Sequence, residues 1–431
     1  MRSVLDNSKT GIRDDSDACV QMSKLNRNFY FAERFKTAGA LTIVLGVALG
    51  ILYVAAIVVF SSVPQLVDER SHFAQVTLFY RGDWRALPEV ATLPGYGAFL
   101  AMIMRMIGEN WLDVTRVVHA CCCLAAVGGF FALRRRLWPG TETVATAQFL
   151  CLPLMTPFFF IIYTDVPANA LLLWGMWAAR GGRTIISALL FCLLILMRQH
   201  EFVWVALAAA LVARPESGWS SFPAQWRARF IAVVPFAAPL LLFLAFWIWN
   251  GSVSLWHTDI HPDFRFQTGN VFVGLLLTGV LLPLQLCKSL IDFVRRSWSK
   301  PWLVVIPLLI FAAFWFGFRS TNPINGTLAT EYLRNYTLTR VATGVIITFA
   351  VWTLWRLKIR PVGAGLPLAL ISTFFLAAIW LIEPRYLIVP FSLWLAMREQ
   401  EEGWIELVTL AYWLALAIFM VRVAVNSGFV V

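Results

Sequence analysis

The chain has 431 residues, 59% of them hydrophobic and 14% charged, with a mean hydropathy of +0.72 and a formal net charge of +11. Soluble domains run near 45–50% apolar and about 25% charged, so a water-soluble globular protein is excluded. The cations are dispersed through short loops rather than gathered into a patch, which excludes a nucleic-acid partner and fits positive-inside topology.

Apolar runs of about 18–22 residues recur along the chain, and the short alternating segments of a β-barrel are absent. These features predict an all-α polytopic membrane protein of about 12–13 transmembrane helices. Residues 1–36 are polar and mixed in charge. With no apolar stretch leading to a cleavage site, they read as a cytoplasmic tail, and 37–431 as a single transmembrane domain. Span 1, about 38–62, leads into a first extracytoplasmic loop, 63–110, in which 96–106 is too short to cross and reads as an interfacial helix.

Span 2 (111–133) stops on Arg134-Arg135-Arg136, and span 3 (143–162) returns outward to Tyr163-Thr164-Asp165. Spans 4 to 6 are short, turning at Arg180–Arg183, Arg198–Glu201 and Arg214. Span 7 (230–249) rises to an outer loop, 250–267, and span 8 descends through Lys288 to Lys300. Spans 9 to 13 follow, with outer turns at 319–337 and at Glu383–Tyr386. This threading places every Lys on the cytoplasmic side and leaves only Arg as outer cations, the residue whose planar fork suits anionic ligands. The seven cysteines form no CxxC pair and read as small buried hydrophobes. Asn250, Asn325 and Asn335 open glycosylation sequons compatible with the outer side.

Given that topology, Asp68/Glu69, Asp165, Arg198/Gln199, His257–Arg265, Arg334–Tyr336 and Glu383/Arg385 all fall at outer helix ends. Such convergence points to an extracytoplasmic active site, whereas a transporter concentrates polar groups and broken helices near the midplane. Asp68, His72 and Gln75 share one face if the stretch after span 1 is helical. Within span 2, Arg116 pairs with Asp113 at i, i+3 on local spacing. His257 and His261, at i, i+4, have metal-ligand spacing with Asp259 if helical, though Pro262 and the loop setting weaken that reading, and no cofactor is assigned.

The stretch Val67-Asp68-Glu69-Arg70-Ser71-His72-Phe73-Ala74-Gln75 resembles the acidic first-loop motif of glycosyltransferases with the GT-C fold, which use polyprenyl-phosphate sugars. More narrowly, it is similar to the family of the endoplasmic-reticulum α-1,2-glucosyltransferase that adds the last glucose to the dolichol-linked oligosaccharide. Thr92-Leu93-Pro94-Gly95, Tyr163-Thr164-Asp165, Arg198-Gln199 with Trp204, Asn335-Tyr336-Thr337 and Glu383-Pro384-Arg385-Tyr386-Leu387-Ile388-Val389-Pro390 match in order. The sequence departs from the family at Leu93, at His200-Glu201 after Arg198-Gln199, at Asn335 and at the opening of the 250–267 loop.

The resemblance implies a GT-C bundle and an inverting transfer of a hexose from a β-linked polyprenyl (dolichyl) phosphate donor. It further implies glucose in α-1,2 linkage as the hexose, and a lipid-linked oligosaccharide or similar glycan as the acceptor. It implies an endoplasmic-reticulum membrane in a eukaryote or the inner membrane in a bacterium, with membrane lipids as the remaining partners and no required metal. Transfer from a lipid phosphate needs a base for the acceptor hydroxyl and cations for the departing phosphate. Asp68 is read as the base and Glu69 as runner-up, with an ion pair to Arg70 or a helix-face contact to His72 as its structural alternatives.

Arg385, then Arg334 and Arg198, are the donor-phosphate candidates, each with a structural salt bridge as the alternative. His72, Gln75, Asp165, Gln199, His257, His261, Tyr336 and Glu383 are the sugar or acceptor candidates. Asp165 has a second reading, as N-cap of span 4. A flippase or transporter of lipid-linked sugars is the competing functional class.

Overall fold

The computed structural model describes residues 42–66, 68–214, 222–255, 266–318, 336–379 and 381–427. Chain contacts divide it into two units, Met1–Val54 and Ala55–Val431. The described residues are almost wholly helical, and their one β feature is an isolated bridge between Ile359 and Arg398.

Helix α1, Thr42–Ser61, is an uninterrupted apolar run. Two loop helices follow, α2 (Glu69–Tyr80) and α3 (Gly95–Ile107), then α4 (Leu112–Leu137), α5 (Glu142–Leu150), α6 (Asp165–Arg180), α7 (Thr184–Met197) and α8 (Val203–Ala213). Next come α9 (Phe222–Val233), α10 (Ala237–Asn250), α11 (Gly269–Leu281), α12 (Pro283–Ser299) and α13 (Val305–Gly317). The last four are α14 (Thr337–Arg356), α15 (Gly365–Ala378), α16 (Ile388–Met397) and α17 (Gly403–Ser427).

Five helices among the described residues are long and apolar enough to cross a membrane, or six if the bent pair α11–α12 counts as one span. Shorter apolar helices of 10–17 residues supply further segments. The protein is therefore an integral, helical membrane protein, with fewer full-length spans among the described residues than hydropathy alone suggests.

Two expected spans differ from a continuous helix. The expected third span ends as α5 at Leu150, and a 3-10 turn, Thr156–Phe159, follows before the chain reaches Asp165. Pro153 and Pro157 lack the amide protons a helix needs there. The broken backbone is tolerated because Leu152, Phe158, Phe159, Ile161 and Ile162 are buried in protein rather than facing lipid. The expected eighth span stops at Leu282, and α12 turns through 95° at Pro283.

Packing in the second unit is densest between α4 and α6. Gly129 permits that approach, since a methyl group there would come within 3.0 Å of the Trp174 ring. The expected interfacial helix is α3. It ends on Gly108 in the left-handed region (φ +84°), whose amide closes onto the Met104 carbonyl at 2.9 Å. Its Tyr96, Leu100, Ala101 and Met104 form a buried cluster with Val76 and Phe79 of α2, which fixes the first loop as a folded layer.

Candidate active site

Asp68 and Glu69 are sequence neighbours with opposite surroundings. Glu69 is fully buried. Its carboxylate accepts Arg116 Nε at 2.8 Å, Arg116 Nη2 at 2.5 Å, the Leu66 amide at 3.1 Å and the Ile162 amide at 3.0 Å. Arg116 also donates to the carbonyls of Phe60, Val63 and Pro64. The Arg116 pairing with Asp113 and the Glu69 pairing with Arg70, both expected from local spacing, give way to this bond between α4 and α2. It ties the exit of α1 to the start of α2, and every strong acceptor direction of Glu69 is filled.

Asp68 stands at the N-terminal edge of α2, where its carbonyl accepts the amides of Ser71 (3.0 Å) and His72 (3.1 Å). Its own amide donates to the Tyr163 hydroxyl oxygen at 3.0 Å. The carboxylate is 54% exposed and lies 3.5 Å from Arg385 Nη1. It lines a cavity of about 180 Å³ together with His72, Asp165, Arg198, Arg385 and Tyr386.

Two arginines enter this cavity and are held differently. Arg198 ion-pairs with Asp165, lies 3.4 Å from Glu201, and directs Nη2 at His200 Nε2, 3.0 Å away. Arg385 bonds Glu383 through Nε and reaches Asp68 only at 3.5 Å. Its guanidinium lies 5.6 Å from the ring centroids of both Tyr163 and Tyr386. Arg385 is thus presented to the cavity between two aromatic rings, while Arg198 is enclosed by protein acceptors.

The electrostatics follow from this enclosure. Burial is the largest influence on Asp165 and raises it, but the Arg198 and Arg385 cations and the Arg198 hydrogen bond together outweigh it and hold the carboxyl below the usual carboxylate range. At Glu201 burial wins over the same cation and pushes the carboxyl up to about 7. Burial pulls His72 down to about 4 despite the Asp68 charge, leaving a neutral imidazole at neutral pH. Glu383 is raised by burial, with Arg385 opposing.

The other expected site residues fall into three groups. Gln75 is buried away from this cavity: its amide donates to the Arg85 carbonyl at 2.9 Å and accepts the Leu87 amide at 2.6 Å. Gln199 reaches the cavity wall, yet it accepts the Leu93 amide and donates to the Ala91 and Val253 carbonyls, each at 2.9 Å. Both glutamines therefore brace the loop that roofs the site.

Asp165 is the first residue of α6 and spends its carboxylate on Arg198, and the preceding Thr164 makes no side-chain cap. Tyr336 is 56% exposed at the start of α14 and does not line the cavity. His257, His261 and Arg334 lie outside the described residues, as does Asp259. Among the described residues no cluster of His, Cys, Asp and Glu has the geometry of a metal site.

Tyr163, Glu201 and Tyr386 had no role assigned from the sequence. The signals were present: Tyr163 and Tyr386 sit inside matched motifs, and Glu201 is one of the departures.

A second cavity, of about 690 Å³, is larger than the first. It is an apolar groove lined by Val271, Leu275, Leu366, Leu387, Pro390 and Trp394 from α11, α15, the turn before α16, and α16 itself. The turn Pro384–Leu387 contributes to both, with Arg385 lining the polar cavity and Leu387 the groove. On α15 the same division places Phe375 and Ala378 on the polar cavity and Ser372 and Leu376 on the groove.

Fold and site together define a polytopic helical membrane protein whose charged cavity opens beside an apolar groove. Residues 63–220 match the model of the DIE2/ALG10 family, so the resemblance read from the motifs holds over that stretch. A curated relative from Yarrowia lipolytica, the Dol-P-Glc:Glc(2)Man(9)GlcNAc(2)-PP-Dol alpha-1,2-glucosyltransferase, is 23% identical over 305 residues. That match takes in 63% of this chain and 58% of the relative's length.

Among solved structures, ArnT from Cupriavidus metallidurans in the apo state is 16% identical, with a TM-score of 0.40 over 86% of this chain and 77% of that one. ArnT bound to undecaprenyl phosphate gives 14% identity and a TM-score of 0.39 at the same coverage. Both are likenesses too slight to place any residue.

Proposed function

We propose that this protein is a membrane-embedded inverting glycosyltransferase that moves a hexose from a polyprenyl-phosphate donor to a glycan acceptor. The observation that carries the reading is the pairing of Asp68 and Arg385 across one cavity, with an apolar groove beginning two residues beyond Arg385. A donor with a phosphate, a sugar and a long apolar chain needs those three environments side by side.

In this reaction the acceptor hydroxyl oxygen attacks the anomeric carbon as its proton passes to the Asp68 carboxylate. The bond from that carbon to the phosphate oxygen breaks, and the electron pair leaves on the polyprenyl phosphate. Arg385 stabilises the growing charge, because a guanidinium fork can donate two hydrogen bonds to one phosphate. Attack from the face opposite the leaving group inverts the anomeric configuration. Glu69, saturated by four donors, holds Asp68 in place rather than acting as base. Neutral His72 and the ionised Asp165 line the sugar's side of the cavity.

Glucose as the hexose, dolichyl phosphate as its carrier, an α-1,2 linkage and a lipid-linked oligosaccharide acceptor are the specific form of the proposal. They rest on the Yarrowia relative and on the motif resemblance. The test is incubation of the purified full chain with labelled polyprenyl-phosphate-glucose or -mannose and candidate acceptors. Transfer from the glucose donor, lost in Asp68→Asn, supports the assignment. Translocation of lipid-linked sugar in proteoliposomes without any glycosyl product would replace it with the transport reading.

A further inference from the structure

The 95° break at Pro283 turns α12 away from the direction of α11, and its two sides differ. One side is bound to the protein. Gln285 donates to Thr409 Oγ1 at 3.0 Å, Arg356 donates to Ser289 Oγ at 3.1 Å, and Lys288 lies 2.8 Å from both Glu401 and Glu402. Phe293 packs edge-on against Phe349 and Trp352 of α14.

The other side carries Leu290, Ile291, Val294 and Trp298, all exposed. At 3.6 residues per turn these four fall within a sector of about 100°. Arg295, Arg296 and Lys300 are exposed as well. The one acid of the helix, Asp292, lies 3.7 Å from Arg356, so the outward charge of α12 is cationic. Trp298 is 85% exposed, and Trp302, Trp355 and Trp404 are exposed indoles on neighbouring segments. Exposed indoles favour the level of the lipid headgroups. An exposed apolar sector bordered by Arg295, with further exposed cations at Arg296 and Lys300 in the last turn and at its cap, fits a helix lying in a membrane interface.

We propose that α12 lies in the headgroup plane of the bilayer, where Arg295, Arg296 and Lys300 bind anionic phospholipid headgroups. A soluble polyanion would satisfy the cations and leave the apolar sector in water, whereas a lipid satisfies both. The inference is independent of the reaction at the Asp68 cavity.

The test uses the full chain in nanodiscs of mixed phosphatidylcholine and phosphatidylglycerol, with retained lipids counted by mass spectrometry after exchange. Wild type enriches phosphatidylglycerol at low salt, and each cation removed lowers the enrichment roughly fivefold until it is gone. R295Q/R296Q/K300Q therefore loses the preference. Lys358→Gln, which removes an exposed cation off this helix, keeps it. If the triple variant is not monodisperse, R295Q alone is read for the roughly fivefold drop. Unchanged enrichment in a well-folded variant overturns the proposal, as does competition by soluble glycerol phosphate or coverage of α12 by a second polypeptide instead of lipid.

Discussion

Arg385 Nη1 and the Asp68 carboxylate face each other at 3.5 Å, longer than a good charge-assisted hydrogen bond and near the limit of an ion pair. A pair held this loosely, with the Asp68 side chain half in solvent, leaves the carboxylate and Arg385 Nη1 available to a third partner. Asp68→Asn removes the base without changing side-chain size, so insertion and monodispersity stay native while transfer falls by at least 100-fold, within the usual range for a lost general base. Glu69→Gln should act through stability instead. It leaves Arg116 buried against a neutral amide, and breaking one half of a buried pair costs about 3–5 kcal/mol. Thermal unfolding in detergent, compared with turnover of the surviving folded protein, separates the two. Equal loss of specific activity in both variants would contradict the division of roles.

Arg385→Lys keeps the charge and discards the fork. The expected outcome is a drop in kcat/KM of roughly 10- to 100-fold, the equivalent of one hydrogen bond to a charged group. Arg198→Lys should lower folded yield as well, since Arg198 satisfies Asp165, Glu201 and His200 at once. Donor-concentration series on both variants check this, and an Arg385→Lys enzyme with wild-type kinetics would move the phosphate elsewhere.

The end of the chain that carries these residues was legible in the sequence because topology alone gathers it. Arg134-Arg135-Arg136 closes α4 at one end, and Asp68, Asp165, Arg198 and Arg385 then converge at the other. The partner of Glu69 was not legible. Arg116 lies 47 residues away, and local spacing offers only the nearer Arg70 and, for Arg116, Asp113. Gln199 misleads for a similar reason: its amide looks like a sugar ligand, but one of its partners is a backbone amide 106 residues distant. Hydropathy also counts apolar side chains and not amide protons, so it runs a span straight through Pro153 and Pro157. The apolar groove has no sequence signature, because its walls are ordinary span residues whose shared gap appears only after packing.

Two buried titratable groups give stability opposite dependences on pH. The Glu201 carboxyl rises from an ordinary 4.5 to about 7, so the folded state holds its proton longer than the unfolded chain does. Stability from this group is present at low pH and falls as pH rises from about 4.5 to about 7. His72 drops from 6.5 to about 4, so the unfolded chain binds the extra proton, and stability from it rises across that window. The contributions partly cancel in the wild type. Glu201→Gln should leave an upward slope of melting temperature between about pH 5 and 6.5, and His72→Gln a downward one. Melting curves at several pH values check both signs.

The last prediction concerns the groove. If the polyprenyl chain of the donor runs from Arg385 past Leu387 into the space between α11, α14, α15 and α16, blocking that space should penalise long chains selectively. Ser372 lines the groove on α15, one helical turn from Phe375, which lines the polar cavity. Ser372→Trp places a large indole in the 690 Å³ space and leaves Asp68 and Arg385 untouched. Burying each methylene of a lipid chain contributes about 0.8 kcal/mol, so displacing even three or four of them should raise KM more than 10-fold. A donor with only one or two isoprene units does not reach past the turn and should keep its wild-type kinetics. The measurement is the ratio of kcat/KM for long and short polyprenyl-phosphate-glucose in the two proteins. A ratio unchanged by Ser372→Trp would place the lipid chain on another face of the bundle, with the polar half of the site left intact.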